Sequence, residues 1–285
     1  FLPGSEWLYY KLYCGTKTAD ELLLALVQPL AAELLRAGLI DKWFFIRYND
    51  PDFHLRVRFH LRDIRNAGDV MQAFLRLAEP QLAAGFVWKI QMDTYQRETE
   101  RYGQQLTALA EDLFFADSQM KLSFLQLTEG DEREKYRWLW ALRGVDELLN
   151  AFGYTPERKY ALMQQIQQQF AAEFKADKSL FRQLNQQYNT NRKEIIAVME
   201  TVVSPDDPFF PLLEIFRQEE AALRLTASAI LAALPEANKD AAIDSLMGSY
   251  IHMNLNRLFL SEPRLHELVI YDLLCSHYRA GLKRR

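Results

Sequence analysis

The hydrophobic period of this chain switches repeatedly up to about residue 103 and is helical from there nearly to the end, and that contrast limits the folds open to it more than any other feature. Before that point, short alternating runs interleave with helical ones; beyond it, apolar residues recur at spacings of three and four. EWLYYKLYC (6–14) alternates and is rich in aromatic residues, and TADELLLALVQPLAAELLRAG (18–38) reads as a helix opened by Thr18 and closed by Gly38. KWFFIRY (42–48) and HLRVRFHL (54–61) are strands joined by the turn NDPD (49–52), a hairpin. AGDVMQAFLRLAEPQLAAG (67–85) is helical in period with a kink or break expected at Pro80, and FVWKIQMDTY (86–95) returns to alternation. The predicted order βαββαβ is that of a ferredoxin-like split βαβ unit, with the third strand inside the sheet and both helices on one face. The expected class is therefore α+β, an N-terminal ferredoxin-like βαββαβ antiparallel sheet followed by a mainly α-helical region.

Seven helical stretches follow, broken at Gly130, at Gly153 with Pro156, at VSPDDP (203–208), at Pro235 and at Pro263. They repeat at no fixed interval, which excludes a solenoid. The expected domains are residues 1–103, the sheet region, and 104–285, the helical region, together forming one functional domain. A chain of 285 residues, 49% of them hydrophobic, can bury cores of that size. Its 34 Lys and Arg against 38 Asp and Glu leave a net charge of −4, so no overall basic field advertises nucleic acid or an anionic membrane. No apolar run approaches the roughly 20 residues of a membrane span, and Cys14 and Cys275 are too far apart in sequence to suggest a disulfide framework or a thiolate metal site. A cytoplasmic protein is expected. The opening residue, Phe1, points to a segment of a longer polypeptide.

Chemistry has to come from local clusters, because GxGxxG, GxxxxGK[ST], HExxH and GxSxG are all absent. In HLRVRFH (54–60), Leu55, Val57 and Phe59 alternate with His54, Arg56, Arg58 and His60. Strand by strand, the polar face of the sheet is expected to carry Tyr9, Lys11, Tyr13, Arg47, Arg56, Arg58, Lys89, Gln91 and Asp93. Either these side chains snorkel to water or they bind an anion. In YQRETERYG (95–103), Arg97, Glu98 and Arg101 lie within one expected helical turn, with Arg97 and Arg101 on one face; a surface ion-pair ladder is the plainer reading. In SYIHMNLNRLF (249–259), His252 and Asn256 continue a polar stripe with Ser245 and Ser249. His252 is either a satisfied core residue or a proton carrier working near neutrality. Arginine forks hold carboxylates bidentately, and a histidine beside a held carboxylate suits β-elimination; anion binding alone would use only the arginines.

PGSEWLYYKLYCG, IDKWFFIRYNDPDFHLRVRF, YQRETERYG, LFFADS, NRKEI and SYIHMNLNR together resemble the C-terminal domain of class I lanthipeptide (lantibiotic) dehydratases, also called the thiopeptide-type bacteriocin biosynthesis domain. The resemblance spans essentially the whole chain. It implies that a separate N-terminal domain of the same longer chain transfers glutamate from glutamyl-tRNA to Ser and Thr of a precursor peptide. The C-terminal domain then eliminates that glutamate to leave dehydroalanine or dehydrobutyrine. Arg56 and Arg58 match the family's paired strand arginines, Glu98 and Arg101 its helix motif, and His252 its proposed acid/base histidine.

The expected function is therefore a lyase of lanthipeptide biosynthesis in which His252, Arg58 and Arg101 are catalytic and Arg56, Arg58, Arg101 and Glu98 bind substrate. Whether His252 acts as base, acid or both stays open. No metal or cofactor is expected in this domain. The implied partners are the glutamylated precursor peptide and the N-terminal glutamylation domain, with a cyclase and a second copy of the chain as further candidates and no direct contact with nucleic acid. A synthetase complex at the inner face of the membrane is part of the same expectation. The alternatives are a pyridine-forming cycloaddition enzyme of thiopeptide biosynthesis and a non-catalytic peptide- or RNA-binding module. RNA readers of this fold carry stacking aromatics on their inner strands, where this chain has arginines.

Overall fold

The structure is a computed structural model that describes residues 1–200 and 203–284. It comprises two compact units, Phe1–Gln126 and Leu127–Arg285. In the first, β1 (Trp7–Cys14) is followed by a helical run made of α1 (Ala19–Leu22), a π-helical turn (Leu23–Val27) and α2 (Gln28–Arg36). Then come the hairpin β2 (Ile40–Asn49) and β3 (Phe53–Leu61), α3 (Ala67–Ala83), β4 (Val87–Met92), the single turn α4 (Thr99–Tyr102) and α5 (Thr107–Leu127). The strands form one sheet in the order β2-β3-β1-β4, every neighbouring pair antiparallel.

Cross-strand register sorts the side chains into two faces. One face is apolar and lies under the helices: Tyr10 of β1 stacks on Phe74 of α3 with ring centroids 3.9 Å apart. Opposite Arg58 stand Tyr9 and Phe44, and opposite Arg56 stand Lys11 and Ile46, so these side chains share the second face. Arg47 does not belong to it. It pairs with Leu55 and points to the helix side, where its Nη2 lies 2.5 Å from Asp20 Oδ1 of α1 and both side chains are almost wholly buried. Hairpin register decides the phase of β2 relative to β3, and alternation within β2 alone does not contain it.

The helix ends show how sequence sets the boundaries. Gly38, at φ +68°, closes α2 in a Schellman arrangement: Leu39 N–H donates to Leu34 O and Gly38 N–H to Leu35 O. Thr18 precedes α1 but caps nothing with its side chain, because its hydroxyl donates instead to Gly15 O at 2.9 Å. Pro80 neither ends α3 nor begins a new element; the helix runs through it to Ala83.

The sequence boundary at 103 separates α5 from the sheet, whereas α5 lies along β2. Lys42 reaches Asp112 at 2.5 Å, Trp43 Nε1 donates to Gln119, and the Phe45 amide donates to Ser118 Oγ at 3.3 Å. A helix so placed covers the outer edge of the sheet and satisfies a strand amide that would otherwise be unpaired.

The second unit is helical: α6 (Gly130–Ala151), α7 (Pro156–Glu173), α8 (Lys178–Met199), α9 (Phe210–Ala233), α10 (Lys239–Leu258) and α11 (Pro263–Leu282). α6 touches α8, α9, α10 and α11, and its fully buried Trp140 stacks on Phe216 of α9 at 4.1 Å. α7 and α11 share the most extensive helix contact, and each also reaches Asp146 of α6, Lys159 at 2.6 Å and the Tyr278 hydroxyl at 2.7 Å. Overall the fold is mixed and helix-rich, with a small four-stranded antiparallel sheet near the N-terminus. Both cysteines are unpaired, and burial pushes each thiol up to about 11. Among the described residues no helix is long and apolar enough to cross a membrane.

Candidate active site

Arg58 is a buried cation of the first unit. It sits mid-strand, 7% exposed, with its guanidinium 4.4 Å from the ring centroid of Tyr9, 5.1 Å from Phe44 and 4.7 Å from Tyr95. Three rings offer the charge their negative faces but no carboxylate. Among the described residues none forms an ion pair with Arg58, and its Nε is buried without an acceptor. Burial pulls its pKa down, with Tyr95, Tyr9 and, more weakly, Glu98 acting in the opposite sense. A desolvated guanidinium lacking a counter-ion is costly and strongly attracts one.

Arg56 lies on the same face and is held differently. Its guanidinium stacks on Tyr48 at 3.3 Å from the ring centroid, and its Nε–H donates to His54 Nε2 at 3.0 Å. Accepting there leaves the His54 proton on Nδ1, which donates to Asp52 O at 2.8 Å. His54, 1% exposed, is thus a neutral acceptor that aims Arg56, and burial lowers its pKa ahead of the effects of nearby Arg56 and Lys11. Lys11 pairs with Asp93 on this face.

The 95–103 segment departs from its expected geometry. Residues 93–98 form no regular element, and the helical turn begins only at Thr99. Arg97 therefore does not share a face with Arg101. It forks onto Glu111 of α5 with two contacts of 2.6 Å, and Tyr95 donates to Glu111 Oε1 at 2.8 Å. Glu111 is fully buried and pins the segment so that the Tyr95 ring covers Arg58. Glu98 and Arg101 pair at 3.0 Å and are about half exposed, which is the geometry of a surface ion pair open to exchange with a ligand.

His252 belongs to the second unit, on α10. Its Nδ1 is 2.7 Å from Oε1 of Glu267, a fully buried residue of α11, while Nε2 has no hydrogen-bond partner among the described residues. The ring is partly exposed, as are Ser249 and Asn256 of the same stripe. Nδ1–H donation to a carboxylate turns the Nε2 lone pair outward.

Arg56, Arg58, Glu98 and Arg101 thus fall in one unit, the two strand arginines side by side on one face and Glu98 paired with Arg101. Tyr95, Glu111 and Glu267 were not singled out from the sequence, and His54 entered only as one of the alternating polar residues of HLRVRFH. The two acids carried a signal: Glu111 precedes Phe114 and Phe115 by three and four residues, and Glu267 precedes Ile270, Tyr271 and Leu274 by three, four and seven. Each is a carboxylate on the apolar stripe of its helix, a position that demands a partner. Among the described residues, no group of three or more His, Cys, Asp or Glu side chains is placed to hold a metal ion.

Residues 7–278 match the family described as the C-terminal part of lantibiotic biosynthesis dehydratases. The chain is 25% identical over 279 residues to the subtilin biosynthesis protein SpaB of Bacillus subtilis, covering 97% of this chain and 26% of that protein. It is 31% identical over 151 residues to the nisin biosynthesis protein NisB of Lactococcus lactis subsp. lactis, covering 52% of this chain and 14% of that one. It therefore spans about a quarter or less of the length of these relatives. Among solved structures, the tRNA-dependent lantibiotic dehydratase MibB from Microbispora sp. 107891 superposes with a TM-score of 0.74 at 25% identity, over 99% of this chain and 29% of MibB. The pyridine synthase TbtD of thiomuracin biosynthesis shares the fold, with a TM-score of 0.66 at 16% identity over 98% of this chain and 99% of TbtD. This chain belongs to the family of C-terminal domains of lantibiotic biosynthesis dehydratases.

Proposed function

We propose that this chain is a lyase that eliminates glutamate from O-glutamylated Ser and Thr of a ribosomally made precursor peptide, leaving dehydroalanine or dehydrobutyrine. The observation that carries this reading is Arg58: a guanidinium buried among three rings, with no counter-ion among the described residues, suits an anion that arrives with the substrate. A glutamyl ester supplies one. As the Cα proton of the esterified residue is removed, its electron pair forms the Cα–Cβ double bond, the Cβ–O bond breaks, and glutamate departs as a carboxylate. Arg58 stabilises the charge that develops on the departing oxygen in a place shielded from water. Arg56, aimed by His54, and Arg101 hold the glutamyl group. Glu98, the acid beside them, matches its ammonium. His252 transfers the proton.

The sheet reads as a ferredoxin-like unit used as a platform, with function on the face away from its helices. The glutamylating activity and the tRNA belong, on this reading, to a separate N-terminal domain. The test offers the chain two synthetic peptides in parallel, one O-glutamylated on serine and one carrying two dehydroalanines. Loss of glutamate by mass from the first, with no change in the second, is the expected result. Cyclised product from the second peptide alone would replace elimination by pyridine formation. Intact binding of both with no product would leave a peptide-binding module.

A further inference from the structure

The geometry around His252 points to Glu267 as a positioning residue that selects the tautomer of the histidine and makes it the base of the elimination, an inference that rests on the proposed lyase reading. Three donors converge on Glu267. Oε1 takes the His252 Nδ1–H, and Oε2 faces Arg264 Nη1 at 3.2 Å and the Tyr271 hydroxyl at 3.4 Å. Arg264 is itself anchored from α7: it pairs with Glu173 and lies over the Phe170 ring at 4.0 Å. The Phe170 ring in turn meets Tyr271 edge-on at 4.9 Å. A buried carboxylate is thus oriented by an arginine on one oxygen and orients a histidine with the other, and three helices, α7, α10 and α11, fix the set.

Two consequences follow from donor and acceptor inventory alone. With Nδ1–H committed to Glu267, the proton-free position of neutral His252 is Nε2, the atom without a partner among the described residues. That atom can accept the Cα proton but has none to give at the start of the reaction. His252 is then the base, the imidazolium formed is stabilised by the carboxylate behind it, and glutamate leaves without needing that proton. The second consequence concerns Glu267→Gln, a change of nearly identical shape. Arg264 and Tyr271 both donate, so the amide oxygen must face them and the amide nitrogen must face His252. A donor on that side forces Nδ1 to accept, and the neutral ring then carries its proton on Nε2. The single substitution inverts the tautomer.

The experiment reads the tautomer and the reaction separately on the full 285-residue chain. Imidazole ¹⁵N shifts, assigned to His252 by comparison with His252→Ala, are expected to report Nδ1–H in the wild type, Nε2–H in Glu267→Gln, and Nδ1–H again in Glu267→Asp, which keeps the charge. Elimination from a glutamylated peptide is expected to lose about 10²- to 10⁴-fold in kcat in Glu267→Gln with KM changed less than about threefold, because the base is misprotonated while the arginines still bind substrate. Arg264→Met, on a partly exposed side chain, tests the same link without altering the buried acid and is expected to lower kcat less. An Nε2–H signal in the wild type, or a Glu267→Gln variant with wild-type kcat in a background where His252→Ala is inactive, overturns the inference. Full activity in His252→Ala instead overturns the role of the histidine in the lyase reading, and the ¹⁵N shifts still decide whether Glu267 sets the tautomer.

Discussion

At the scale of single residues, Arg58 separates stability from activity. Natural cores rarely keep a guanidinium without a counter-ion, since desolvating the charge is not repaid. Arg58→Met should therefore leave unfolding free energy unchanged or raised by about 1 kcal/mol, as measured by urea denaturation, while removing the grip on the leaving group. A loss of several kcal/mol would mean that the three rings around Arg58 need the cation for packing. His54 acts through Arg56, whose Nε–H it accepts. His54→Phe keeps a ring against Tyr13, whose centroid is 4.7 Å off, but removes the acceptor that aims Arg56. Its expected signature is a raised KM for glutamylated peptide with kcat changed little, read from initial rates; an unchanged KM would show that stacking on Tyr48 alone places Arg56.

At the scale of elements, the segment between β4 and α5 depends on one buried acid. Glu111→Ala removes the acceptor for Tyr95 and both contacts to Arg97, so unfolding free energy should fall by about 3 kcal/mol and amide exchange should rise across residues 93–102 ahead of the sheet. Uniform exchange across the first unit would contradict the pinning role. This segment also marks the limit of what could be read beforehand. Alternation placed Arg56 and Arg58 on one face because period two is local to a strand, and three-and-four spacing located the long helices because each closes its own hydrogen bonds. The side of the sheet taken by Arg47 depends on hairpin register, and the partner of Arg97 depends on a helix 14 residues further on. Glu267 lies 15 residues from His252, on another helix. Contacts of that kind are set by packing, and the only local trace they leave is a carboxylate on an apolar stripe.

At the scale of the whole molecule, acidity acts through histidines held neutral by burial. His54 and His277 both have pKa values lowered from 6.5, desolvation being the first cause in each. Between that value and the lowered ones the unfolded chain binds protons that the folded chain refuses, so folding stability falls as pH drops below about 6.5. Asp272 works the other way, since burial raises its pKa and the folded state holds that proton longer than the unfolded one above 3.8. Urea midpoints taken from about pH 7.5 to about 5.5 should decline. Replacing His277, whose buried Nδ1 has no partner among the described residues, by Gln should flatten the decline; a midpoint that rises on acidification would mean that the buried histidines do not set it.

The proposed role of Arg58, whose buried guanidinium would receive the departing glutamate, is read from the rate of glutamate release. Under single-turnover conditions with a synthetic O-glutamyl-seryl peptide, the wild-type chain should release free glutamate and form dehydroalanine in equal amounts. Arg58→Lys, which keeps a positive charge but loses the planar fork, should do so about 10²- to 10³-fold more slowly. Equal rates for the two proteins, or no glutamate released by the wild type, would contradict it.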